Sequence, residues 1–297
     1  MARYLDPKAD LTFKRIFGEH PELLISFLNA VMPFESGRHI VELSYLPAEQ
    51  VPDNPGKKNS IVDVKCKDNY KRQFIVEMQM DWDEIFMNRI VFNAGKAYVR
   101  QLERSEAYHL LNQVYTLALL NENFDHKTTE FYHHFQIVNR GNTDEIIPGL
   151  EFVLVELSKL RAESRSERKM AILWLRFLKE VGEDMKALPL EMQANEHIRQ
   201  AVELCEEGAF TKRELAAYDK YWDIIRTEKS IKESALRKGR VEGEAKGRAE
   251  GEAERTKLKA ELKAKDTQLE VMAARIAELE HLNSDFLTSK EIKMSPI

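Results

Sequence analysis

A chain of 297 residues, 43% hydrophobic and 32% charged, can bury one substantial core with helical structure appended, and it has no uninterrupted apolar run near the ~18 residues of a membrane span. Acids in the opening MARYLDPKAD stand where a secretory signal has its apolar stretch, and two distant cysteines, Cys66 and Cys205, give neither a disulfide framework nor C-x-x-C metal spacing, so a cytoplasmic protein is expected. The net charge of −5 argues against a globally basic nucleic-acid binder but leaves room for a local patch.

Residues 11–17 read as a short helix with Phe13 and Phe17 at i and i+4, Asp10 as its N-cap and Gly18 at its end. A second helix opens on Pro21 and runs to about Val31, with Leu23, Leu24, Phe27, Leu28 and Val31 as its apolar stripe. Two alternating runs follow. Val62, Val64 and Cys66 alternate with Ile61, Asp63, Lys65 and Lys67; Phe74, Val76, Met78 and Met80 alternate with Ile75, Glu77, Gln79 and Asp81. Asp68, Asn69, Tyr70 and Lys71 between them suit a hairpin turn. From Asp83 to about Glu103 the spacing predicts a helix carrying Arg89, Lys96 and Arg100 along one side. Strands are expected at 114–120, 131–138 and 152–157, where His133 and His134, adjacent on a strand, point to opposite faces and cannot chelate one ion.

Helical stripes return over about 164–234, and the chain changes character at Lys238. Gly239, Gly243, Gly247 and Gly251 recur every four residues among charges; Leu262, Leu269, Met272, Ile276 and Leu279 then follow an a/d pattern, with Lys265 interrupting it. A short coiled coil joining two copies into a homodimer and a solitary solvated helix both fit. The expected organisation is a core at 1–160, a helical subdomain at 161–235 and a charged helical tail at 236–297.

Chemistry concentrates in the hairpin. Pairing that keeps both apolar faces on one side sets Asp63 opposite or diagonal to Glu77, roughly 5 Å apart, where two carboxylates repel unless a positive charge lies between them. A divalent cation supplies that charge, and two carboxylates with the Gln79 amide oxygen suit Mg²⁺ or Mn²⁺, ions that favour phosphodiester hydrolysis. A merely solvated polar face fits the same spacing. Lys57, Lys58, Lys65, Lys67, Lys71 and Arg72 outnumber Asp63 and Asp68 between residues 57 and 72, a local patch for a phosphate backbone or simply a soluble turn. No phosphate-binding Gly loop, H-E-x-x-H or G-x-S-x-G appears, which sets aside the common nucleoside-triphosphatase, zinc-protease and serine-hydrolase classes.

Asp63, the hairpin and Glu77-Met78-Gln79 resemble the core of the PD-(D/E)xK nucleases in a variant with Gln in place of the final Lys. With DLTFKRIF from Asp10, LISFLNA from Leu24, IVEMQ from Ile75 and FVLVEL from Phe152, the order of blocks over roughly the first 230 residues is similar to the recombination-promoting nuclease family of transposase-like proteins. The resemblance implies an α/β (α+β) fold, a restriction-endonuclease-like mixed sheet flanked by helices, and a DNA endonuclease using Mg²⁺ held by Asp63 and Glu77. Asp10 or Glu22 would supply a further acid from the first helices. Gln79 is neutral and cannot store a proton, so the missing cation falls to Lys14 or Lys65. Arg89 is the expected phosphate ligand, or else the partner of Glu84, with Lys96, Lys65 and Lys67 as further DNA contacts. The alternative to catalysis is a DNA-binding or assembly protein on the same fold whose site has weakened with the loss of the motif Lys.

Overall fold

The computed structural model describes residues 3–293, except 36, 48, 51–59, 62, 81, 83, 104, 162–168 and 186 and the side chains of 49, 50, 60, 61, 84 and 282–293. Two compact units result, Met1–Lys229 and Ser230–Ile297. Lys57 and Lys58 of the basic interval lie outside the described residues.

In the first unit α1 (Asp10–Glu19) and α2 (Pro21–Val31) precede β1 (Leu43–Tyr45), the short pair β2 (Glu49–Gln50) and β3 (Ser60–Ile61), and the hairpin β4 (Val64–Asp68) and β5 (Gln73–Gln79). The helix α3 (Glu84–Val99) then crosses to β6 (Val114–Leu120), followed by β7 (Tyr132–Asn139) and β8 (Asn142–Glu156). Six strands form one mixed sheet in the order β1-β4-β5-β6-β8-β7. The β5–β6 and β6–β8 pairs are parallel, whereas β1–β4, β4–β5 and β7–β8 are antiparallel. The remaining helices of this unit are α4 (Lys169–Glu180), α5 (Leu190–Ala194), α6 (Glu196–Glu203) and the first turns of α7 (Lys212–Lys293).

Period-two alternation sorts the hairpin onto two cores. Val64, Cys66, Phe74 and Val76 face α1, α2, α4 and α6, where Phe13, Phe17, Phe27, Trp174 and Phe177 interlock. Their rings stack and tilt at 4.8–5.7 Å. On the opposite face Ile75 meets Ala94 and Ala97 of α3, while Phe86 and Ile90 pack on Ala118, Leu120 and Leu154. The hairpin face bearing acids is therefore covered by a helix, not solvated. Close approach holds α3 there: Gly149 in β8 has φ 140°, and a Cβ added to it would lie 3.2 Å from the Tyr98 hydroxyl.

Several local expectations change. Ala9, not Asp10, is the N-cap of α1; Asp10 is the first helical residue, and its Oδ1 takes Lys14 Nζ at 2.7 Å one turn on. The helix runs past Gly18 to Glu19. The last strand begins ten residues earlier than its apolar run, at Asn142, because the exposed stretch from Asn142 to Pro148 extends the β7–β8 hairpin. Lys65 is 8% exposed, on a strand that lies inside the sheet with β1 taking the edge.

In the second unit α7 continues as helix, with Leu262, Leu269, Met272, Ile276 and Leu279 each more than half exposed. Among the described residues no helix is long and apolar enough to cross a membrane.

Candidate active site

The register of the hairpin builds the site. Val64 pairs with Val76 and Lys65 with Ile75, so Asp63, immediately before β4, comes alongside Glu77 on the α3 face. Asp63 Oδ2 accepts the Met78 backbone N–H at 2.6 Å, which fixes the carboxylate at the strand entrance. Glu77, 5% exposed, accepts from Asn93 Nδ2 at 2.9 Å through Oε1, and Arg89 Nε stands 3.9 Å from its Oε2. Arg89 also donates from Nη2 to Gln79 Oε1 and lies 4.8 Å from the centre of the Phe86 ring, so one guanidinium spans the two motif positions of β5.

Burial pushes the Asp63 carboxyl above its ordinary range; the Met78 N–H opposes that shift, Asp10 adds to it, and Lys14 and Arg89 oppose it. Glu77 is also raised, chiefly by burial and further by Asp63, with Asn93 and Arg89 opposing. Two acids in a low-dielectric setting repel each other, and the nearby cations compensate only in part. A positive charge placed between them would relieve both.

The structure thus brings Asp63, Glu77, Gln79, Arg89, Asp10 and Lys14 to one end of the β4–β5 hairpin. Glu22 does not join them: its Oε1 accepts from Gln200 Nε2 at 2.8 Å and pairs with His20. Lys65 and Lys67 follow Asp63 along the same face of β4, at one and two strand repeats from it, and Lys67 is exposed. Lys96 lies on α3, its Nζ 5.4 Å from the Phe92 ring centre. Burial lowers the Lys65 pKa, and Arg100 and Lys96 lower it further.

His133 and His134 do diverge: one ring meets Glu156 and the other Glu151, each at 2.8 Å. The buried Glu156 also accepts Lys159 Nζ and the backbone N–H groups of Phe124 and Asp125, a structural junction and not a metal centre.

Sequence reasoning missed Asn93. It was legible as an amide four residues after Arg89 on the inward side of α3, but only the register shows that it ends at Glu77.

The donor set fits a hard divalent cation. Asp63 and Glu77 each have one oxygen fixed by a protein donor, and Asp10 and the Gln79 carbonyl add oxygen near them. Among the described residues no group of three His, Cys, Asp or Glu side chains forms a ready-made cage. Mg²⁺, which keeps several waters and needs only one or two carboxylates, suits so sparse a set better than Zn²⁺.

A mixed α/β sheet thus sets a pair of acids, Asp63 and Glu77, at the mouth of its internal hairpin, near the end of strand β5. The chain belongs to the PD-(D/E)XK nuclease family transposases, whose family profile matches residues 7–235. No curated protein and no solved structure matches it.

Proposed function

We propose that the protein is a Mg²⁺-dependent DNA endonuclease of transposase-like, recombination-promoting type, acting in the cytoplasm. The observation that carries this reading is the pairing of Asp63 with Glu77, both largely buried and both raised in pKa, beside Gln79 and Arg89. Asp63 and Glu77, with Asp10 near Asp63, would hold Mg²⁺ or Mn²⁺, which when bound would supply positive charge against phosphoryl oxygens and acidify water.

The chain's own groups do the rest. Met78 N–H and Asn93 keep the two carboxylates aimed and unable to rotate toward each other. Gln79, neutral at any working pH, positions water and does not exchange its proton. Arg89 meets the phosphate with a planar fork of donors, and in the free protein Gln79 holds that fork in place. Lys14, one turn from Asp10, brings the cation that the motif Lys would otherwise provide. Lys65, Lys67 and Lys96 take the DNA backbone without regard to sequence. The a/d stripe of α7 holds two copies together.

The test is incubation of pure protein with supercoiled and linear DNA, with Mg²⁺ or with chelator. The reading expects Mg²⁺-dependent nicking that stops in chelator; DNA binding without cleavage in either condition favours a DNA-binding protein on the same fold.

A further inference from the structure

A cleft of about 630 Å³ opens beside the end of β5, between the end of α4 and the first turns of α7. Met80, next in the chain after Gln79, lines it, and so does Asn121, whose backbone N–H goes to the Gln79 carbonyl at 3.0 Å. Asp6 is a further tie to the candidate site: its carbonyl takes the Thr12 hydroxyl of α1, two residues from Asp10. The cleft therefore adjoins the paired acids, yet its lining includes none of the groups arranged around them.

Its walls define what fits. Trp222 and Ile225 of α7, with Met80 and Met185, form an apolar side. The Trp222 ring meets Tyr218 at 6.1 Å and 74° and Tyr221 at 5.5 Å and 75°, so it is braced edge-to-face and neither neighbour stacks parallel to it. The other walls are polar, but most of their charges are already engaged. Lys8 pairs with Asp6 at 2.9 Å and donates to the Leu178 carbonyl at 3.1 Å; Lys179 Nζ goes to the Ser158 and Leu160 carbonyls; Arg3 and Arg176 hold Glu183 and Glu180. Such a surface suits a neutral ligand better than a metal ion or a bare phosphate. The volume lies within the range of about 300–1,000 Å³ usual for sites that take small organic groups. A nucleobase offers a flat apolar face and hydrogen-bonding edges, and a polynucleotide at Asp63 and Glu77 would carry one to the cleft. Arg226 and Lys229, exposed on α7, border it and suit the flanking phosphates.

We propose that this cleft receives an unpaired base of the DNA strand bound at Asp63 and Glu77 and stacks it on Trp222. The proposal rests on the reading of those carboxylates as the cleavage site and names the substrate they favour: DNA with a bulged, mismatched or single-stranded nucleotide beside the bond that is cut. A paired base enters only after it is unstacked, a cost that an unpaired base largely escapes.

The test is binding of two labelled duplexes in chelator by the full-length protein, one with a bulged thymidine and one with an abasic residue at the same place. Wild type should hold the bulged base about 10-fold more tightly, within the range of one base–aromatic stack. Trp222→Ala should lose that preference, and Trp222→Phe should keep most of it. Gly182 offers an independent block. It lines the cleft, and a Cβ added to it meets nothing within 4 Å, so Gly182→Leu should fold as wild type does, occupy the space and lose the preference as well. Equal affinity of wild type for the two duplexes, or no binding of either, overturns the proposal. So does a preference that survives in Gly182→Leu or in folded Trp222→Ala. Thymidine monophosphate competing as well as the bulged duplex would mark a site for free nucleotides and overturns it too. Binding in chelator needs no cleavage. A Trp222-dependent preference in a protein that never nicks DNA therefore counts against the nuclease reading alone, and an active nuclease that binds both duplexes alike counts against the cleft alone.

Discussion

Asn93, with no solvent exposure, donates from Nδ2 to Glu77 Oε1 at 2.9 Å, and its own Oδ1 has no hydrogen-bond partner among the described residues. A fully buried amide with half its capacity unused is costly, and a site that binds polar ligands is where such a cost is retained. Asn93→Ala should leave Glu77 free to rotate and lower nicking by about 10–100-fold, as loss of a ligand's supporting hydrogen bond typically does. Rates of plasmid nicking and Mn²⁺ affinity by calorimetry check this; unchanged values for both would make Asn93 a packing residue only.

The paired acids set the sign of a pH effect. Asp63 and Glu77 both have folded-state pKa values raised above their ordinary ones, mainly by burial. Between the unfolded and folded values the native state holds more protons, so stability falls as pH rises through that window and stays reduced at neutral pH. In chelator at pH 7, Asp63→Asn should therefore melt higher than wild type; each 1 kcal/mol gained would appear as about 2–4 °C for a domain of this size. Mg²⁺ should raise the wild-type melting temperature and leave Asp63→Asn nearly unmoved. A variant that melts lower than wild type in chelator would show that the carboxylate is already well compensated.

Gln79 is tied to Arg89 in the free protein, so its role can be separated from simple space filling. Gln79→Ala should release Arg89 and slow cleavage by about 10-fold or more, on the scale of other supporting contacts. Gln79→Lys should retain or raise activity, because a positive group at this position both orients water and offsets the acids. Equal rates for wild type and Gln79→Ala would remove Gln79 from the site.

The tail carries the prediction about assembly. Leu262, Leu269 and Met272 are 64%, 63% and 64% exposed, which leaves an apolar stripe that a second helix of the same kind would cover. Deleting the chain after Ala235 should yield a monomer by light scattering. Nicking should persist, but linear product should fall at limiting enzyme because two sites are no longer held near one duplex. If the truncated protein keeps the full-length oligomeric state, the contact lies elsewhere.

Much of the site was legible because strand alternation is strict. Once Val64 and Cys66 share a face with Phe74 and Val76, Asp63, Lys65 and Glu77 must share the other. The sequence did not show what covers that face. Alternation alone cannot distinguish a solvated surface from one roofed by α3, and the burial of Glu77 and Lys65 follows from that helix and from β1, which are separated from them in the chain. Asp10 was misread for a local reason. Its chemistry suits an N-cap, but Ala9 takes the extended conformation there and Lys14 lies one turn away to pair with it. The early start of β8 was hidden because its first residues, Asn142, Thr143, Asp144 and Glu145, are polar and exposed, and Pro148 and Gly149, which weaken any strand signal, separate them from the apolar run.

The most direct measurement is Mg²⁺-dependent nicking of supercoiled plasmid by purified Asp63→Ala and Glu77→Ala proteins, each shown by circular dichroism to keep the wild-type fold. On the proposal that both carboxylates hold one cation, either substitution should abolish nicking that wild type performs with Mg²⁺ and loses in chelator. Wild-type rates in either folded variant would contradict the assignment of Asp63 and Glu77 as the centre of the reaction.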